Sequence, residues 1–184
     1  GAGLAFTLGK HIDMFIEGLN REPFNLEEHK ALRDVAMRRK LGGGKAAGGL
    51  LGPKTPYKGK TPKEAMLNAE WVLAKDVGSI PSMLTIVRNA AALGLTDIAV
   101  WMGNYLRDAN RTNKNPKLEI FTELADILEK LAEYQKASEA RQEARRLKPN
   151  DREMHTRAND VSAQETLKRG KYETAEDFKE SIKD

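Results

Sequence analysis

Residues 124–151 read LADILEKLAEYQKASEARQEARRLKPND, and this stretch decides the fold. Small residues fall at Ala125, Ala132, Ala137, Ala140 and Ala144, an aromatic stands at Tyr134, and Pro149 closes the run. Small residues recurring at three- and four-residue intervals are a helical pattern. Leucine at the same positions would bury more apolar area, so the choice of alanine asks for a reason beyond helix propensity.

Working outward, the same period recurs over most of the chain. LEEHKALRDVAMRRK (26–40) places Leu26, His29, Leu32, Val35 and Ala36 on one face, and SMLTIVRNAAALG (82–94) and DIAVWMGNYLRDA (97–109) repeat the spacing. Thr61-Pro62 followed by Glu64 predicts a helix N-cap with proline in the first turn. Gly94 followed at once by Thr96-Asp97 predicts an αα-hairpin, and residues 113–116 separate the next pair of helices. No stretch alternates as a strand would. The exception to the helical period is LGGGKAAGGLLGPKTPYKGKT (41–61), whose seven glycines and two prolines predict a flexible insertion.

This pattern resembles the tetratricopeptide (TPR) repeat. With Leu118 as the first residue of a 34-residue unit, Ala125, Ala137 and Ala144 take positions 8, 20 and 27, Tyr134 takes 17 and Pro149 takes 32. In this family small residues at 8 and 20 let the two helices of a hairpin close on each other, and position 27 makes room for the next repeat. Arg141, at position 24, departs from the aromatic of the family pattern. A second unit starts at Ile80, with Gly94 at 15 and Ala99 at 20. Residues 11–25 and 64–79 fit second helices, with Pro23 and Val77 at position 32. Ala163, Gly170, Tyr172 and Ala175 continue the frame, implying a further hairpin near the C-terminus. The implied fold is an all-α, right-handed α-solenoid: N-terminal helices over 1–40, the insertion over 41–61, and an array over 62–184.

Composition narrows the function. The chain has 184 residues and no cysteine, which removes disulfide scaffolds, thiolate metal sites and thiol catalysis. The three histidines lack metal-ligand spacing, and no metal or other cofactor is expected. The nucleotide-loop pattern fails at Gly44-Lys45, where Ala46 follows, and at Gly9-Lys10, where His11 follows. No catalytic signature is present, so an enzyme is not expected. Trp71 and Trp101 read as core anchors. No membrane span or convincing leader is visible, and a cytoplasmic setting is expected.

Two candidate binding surfaces remain. The TPR resemblance implies a concave groove lined by first-helix positions 2, 5, 9 and 12. It assigns Lys30 and Asp34, then Arg88, then Glu119, Thr122, Asp126 and Glu129, to a protein or peptide partner, with Glu153 and Asp160 continuing the acidic end. The lysine–asparagine set with which some members clamp a carboxylate tail is absent. The second surface is a basic arm of Arg38, Arg39, Lys40, Lys45, Lys54, Lys58, Lys60 and Lys63, with no acidic residue between 38 and 63. The chain's net charge is +4, yet the 31 basic residues less these eight leave 23 against 27 acidic. Concentrated positive charge of this kind suits salt-dependent nucleic-acid binding, the alternative to a peptide groove.

Overall fold

The alanines lie where two helices touch. The computed structural model describes residues Gly1–Lys183, and among them all regular structure is helical: α1 (Ala2–Arg21), α2 (Leu26–Leu41), α3 (Pro62–Lys75), α4 (Ile80–Ala92), α5 (Thr96–Arg111), α6 (Leu118–Lys130), α7 (Tyr134–Leu147) and α8 (Arg152–Lys183). Ala125 on α6 and Ala137, Ala140 and Ala144 on α7 are fully buried, and α6 packs directly on α7. No described helix is long and apolar enough to cross a membrane.

The chain divides into two compact units, Gly1–Thr112 and the residues from Asn113 onward. In the first, α1 packs on α2 and α3, α3 on α4, and α4 on α5. Its core draws Ile12, Ile16 and Leu19 from α1, Leu32 from α2, Met66 and Leu67 from α3, Ile86 from α4, and Ile98 and Leu106 from α5. Each such side chain contributes roughly 1.5–3 kcal/mol by leaving water. Trp71 and Trp101 are half-buried rather than core residues. The Trp71 indole N–H donates to Asp13 at 2.9 Å, and Trp101 meets the Tyr105 ring edge-on at 5.7 Å.

Side-chain caps explain the starts of α2, α3 and α4. Asn25, Thr61 and Ser79 accept from the amides of Glu28, Glu64 and Ser82, satisfying donors that the helix leaves open. The α4–α5 and α6–α7 turns are built alike. Counted from Ile80 and from Leu118, the fifteenth residues Gly94 and Ala132 have φ of 72° and 57°. Around them Gly94 N donates to Ala91 O and Leu95 N to Ala90 O, while Ala132 N donates to Glu129 O and Glu133 N to Leu128 O. Buried positions match as well: Met83, Ile86, Val87 and Ala90 on α4 correspond to Phe121, Leu124, Ala125 and Leu128 on α6. This is a helical repeat.

A second turn recurs between α1 and α2, α3 and α4, and α7 and α8. Its first residues, Glu22, Asp76 and Lys148, share φ near −130° (−129°, −135° and −132°). Three residues on, Asn25, Ser79 and Asp151 donate back to their carbonyls. The following carbonyl receives a side-chain donor each time: Pro23 O from His29 Nε2 at 2.7 Å, Val77 O from Arg33 Nη2 at 3.3 Å, and Pro149 O from His155 Nε2 at 2.6 Å.

Three expectations need amendment. The helix expected within 11–25 begins upstream, at Ala2, and runs 20 residues as α1. Residues 152–183 form one continuous 32-residue helix with no turn at Gly170. A lone interior glycine costs a helix only about 1 kcal/mol, no proline is present there, and Arg169–Glu165 supplies an i,i+4 pair at 2.7 Å. The 41–61 loop is non-helical, but its end is tied down: Tyr57 N donates to Asn68 Oδ1 and Asn68 Nδ2 to Tyr57 O, both at 2.9 Å. Helices α2 and α3 pack together across it.

Candidate functional site

Leu118, Glu119, Thr122, Asp126, Glu153 and Arg157 line an open cleft whose wall includes Arg141. A neighbouring cleft, sharing Asp126, is lined by Glu129, Lys130, Tyr134, Asp160 and Gln164. Positions on α6 separated by three and four residues share a face, and α8 contributes the opposing side. The structure therefore brings together Glu119, Thr122, Asp126 and Glu129 with Glu153 and Asp160. Carboxylates outnumber cations across the two clefts.

Not all of these acids are free to meet a ligand. Arg141 is 2% exposed and donates from Nη2 to Asp126 at 2.5 Å and to Glu129 at 3.1 Å, with Nε also donating to Glu129 at 3.1 Å. Arg157 approaches the same Asp126 oxygen at 3.6 Å. Burial alone would lower the Arg141 pKa, but the hydrogen bonds and charges of Glu129 and Asp126 outweigh it and raise the value. Arg141 Nη1 is buried without a hydrogen-bond partner. Arg141, on α7, thus ion-pairs back onto α6 and joins the two helices of the hairpin.

Lys30, Asp34 and Arg88 belong to the first unit, on α2 and α4. All three are exposed, and Lys30 pairs with Glu27 at 3.5 Å. Of the other first-helix positions on α4, Leu84 is buried and belongs to the core.

The first unit also holds a buried pair that sequence spacing did not reveal. His29 Nδ1 lies 2.5 Å from Glu70 Oε1, 41 residues away, with the two side chains 0% and 3% exposed. Both imidazole nitrogens face acceptors, the Glu70 carboxyl and the Pro23 carbonyl, an arrangement that suits imidazolium, the form with two donors. Burial lowers the His29 pKa, but the Glu70 hydrogen bond and charge, the Pro23 carbonyl and Asp97 together raise it above 6.5. Glu70 Oε2 is buried without a hydrogen-bond partner, and Glu70 lines a cavity of about 10 Å³ with Trp101 and Met102. No group of three or more His, Cys, Asp or Glu side chains among the described residues could hold a metal.

On the basic arm, Arg38, Lys40, Lys45, Lys54, Lys58 and Lys60 are exposed. Lys63 is half-buried and donates to Asn20 O at 3.1 Å, and Arg39 donates from Nη2 to Lys45 O at 2.8 Å. The arm is therefore partly anchored and partly open. No known protein family matches the chain, and no curated protein matches it either.

Proposed function

We propose that this chain is a non-catalytic, TPR-like scaffold of the right-handed α-solenoid type that binds an extended, basic protein or peptide segment along α6 and α8. The observation that carries this reading is the meeting of Glu119, Thr122, Asp126 and Glu153 in one open cleft, continued by Glu129 and Asp160. The matched turns and matched buried positions of the two hairpins support a repeat architecture. Opposite charge would steer encounter and set register more than it would set affinity. The lack of cysteine suits a reducing compartment such as the cytoplasm.

Selection of peptides from a random display library tests the reading. Glu119 and Asp160 are exposed and have no part in the Arg141 cluster, so Glu119→Lys with Asp160→Lys leaves the fold's support in place. Enriched peptides should be basic and should lose binding to this double variant. Peptides without charge bias, or undiminished binding by the variant, would refute the groove.

A second reading rests on the six exposed cations of residues 38–63: salt-dependent contact with nucleic-acid phosphates. Its signature is oligonucleotide binding that weakens steeply with salt and disappears when Lys54, Lys58 and Lys60 become Gln.

A further inference from the structure

One cleft of the first unit has a different character from the acidic face of α6. Lys10 and Asp13 of α1, Arg39 at the end of α2, Lys45 just beyond it, and Lys75 at the end of α3 line it together. Four cationic side chains thus converge with one carboxylate, and that carboxylate already accepts from the Trp71 indole. Two of the four cations, Lys10 and Lys75, lie outside the basic arm and are brought to it only by the packing of α1 and α3.

The cleft is built, not a chance gathering of long side chains. Gly42, Gly43 and Gly44 fold back over the end of α2, with Gly44 N donating to Arg39 O at 2.9 Å. Gly43 has φ of +85°, a conformation that glycine adopts without strain. A Cβ on Gly44 would stand 2.6 Å from Arg39 Cγ and 2.9 Å from the Arg39 carbonyl oxygen, so the turn closes directly on that side chain. The Lys45 carbonyl then fixes Arg39 Nη2, while Arg39 Nε is buried with no hydrogen-bond acceptor in the protein. Lys10 and Lys75 are held over the rings of Phe6 and Trp71 at 4.9 and 4.0 Å. Burial and the nearby Arg39 charge lower the Lys75 pKa, against the opposing pull of Asp13.

We infer that Lys10, Arg39, Lys45 and Lys75 form a binding site for a phosphoryl group. A phosphoryl dianion offers three acceptor oxygens and nearly two charges, enough to engage a guanidinium and two or more ammonium groups at once, whereas a carboxylate offers one charge. The recognition uses side chains and differs from the amide cradle of a nucleotide loop, whose sequence pattern fails at Gly44-Lys45. It stands apart from the peptide groove and does not depend on it.

The test is an NMR titration of the full chain with inorganic phosphate and, separately, with phenyl phosphate, against sodium chloride at matched ionic strength. The expected result is saturable shifts at Gly9, Gly43, Gly44 and Lys45 that chloride does not produce. Arg39→Gln should raise Kd about tenfold or more, and the exposed Lys45→Gln several-fold, with unchanged circular dichroism. Tighter binding of phenyl phosphate would identify an ester as the natural ligand, and tighter binding of inorganic phosphate the free anion; both uphold the site. Shifts equal to those with chloride, shifts centred on Lys54 to Lys60, or a wild-type Kd in folded Lys45→Gln would overturn it.

Discussion

Asp126 Oδ1 accepts a 2.5 Å hydrogen bond from Arg141 Nη2, which makes one of the cleft's acids a support for the α6–α7 hairpin. Arg141 is almost wholly buried, whereas Asp126 and Glu129 are 48% and 31% exposed. Losing the arginine therefore strands no deeply buried carboxylate, and solvent moderates the cost. Arg141→Ala should lower stability by about 1–3 kcal/mol in urea denaturation, chiefly through lost packing. Arg141→Met, which keeps the volume, should recover most of it. Equal losses in the two variants would mean that charge, not packing, dominates.

The hairpin turns make opposite predictions for the same pair of residue types. Ala132 occupies a left-handed conformation at φ 57° that Gly94 occupies at φ 72°. Ala132→Gly should raise stability by about 0.5–1 kcal/mol, and Gly94→Ala should lower it by about 1 kcal/mol. Thermal melting of the two variants decides. A loss of stability in Ala132→Gly would show that the added freedom of the unfolded chain outweighs relief of the turn.

Ala137 has no exposed surface at the α6–α7 contact. Ala137→Leu should overpack the hairpin, costing about 1–3 kcal/mol and lowering the melting temperature. An unchanged melting temperature would contradict the close approach assigned to this position.

The His29–Glu70 pair makes stability depend on pH in a direction that follows from its sign. Burial works against the charged imidazole, yet Glu70 and the Pro23 carbonyl raise the folded-state pKa above the unfolded value of 6.5. The folded protein then holds its proton more tightly than the unfolded chain. The stabilisation is fully present below pH 6.5 and is lost as pH rises through the raised folded value. Melting temperature of the wild type should therefore fall on the alkaline side of pH 6.5, relative to His29→Gln measured over the same range. Parallel curves would show that the pair does not titrate with folding.

The helices were legible because their signals are local. Thr61-Pro62, Gly94 and the alanines of 124–151 each specify a cap, a turn or a contact within one or two helical turns of chain. Gly170 misled for the same reason: its local cue to a turn was outweighed by the uninterrupted helix on either side. The acidic residues of α6 were legible as one face, but their pairing with Arg141 depends on a hairpin's closure. His29 with Glu70, and Lys10 and Lys75 with Arg39, are long-range meetings created by packing, and no spacing along the chain encodes them.

The three similar elbows differ in when they can be completed. His29 and His155 reach carbonyls six residues back, so these two elbows close from their own segments. The Val77 carbonyl waits for Arg33, 44 residues earlier and beyond the glycine-rich loop. Loops of about ten residues close in roughly 10–100 ns, whereas a distant partner must first be delivered by docking of α2 on α3. The α3–α4 elbow is thus a late acquisition in folding. Arg33→Ala should speed unfolding while leaving the refolding rate nearly unchanged in a chevron analysis, so the arginine acts as a clasp on an already assembled unit.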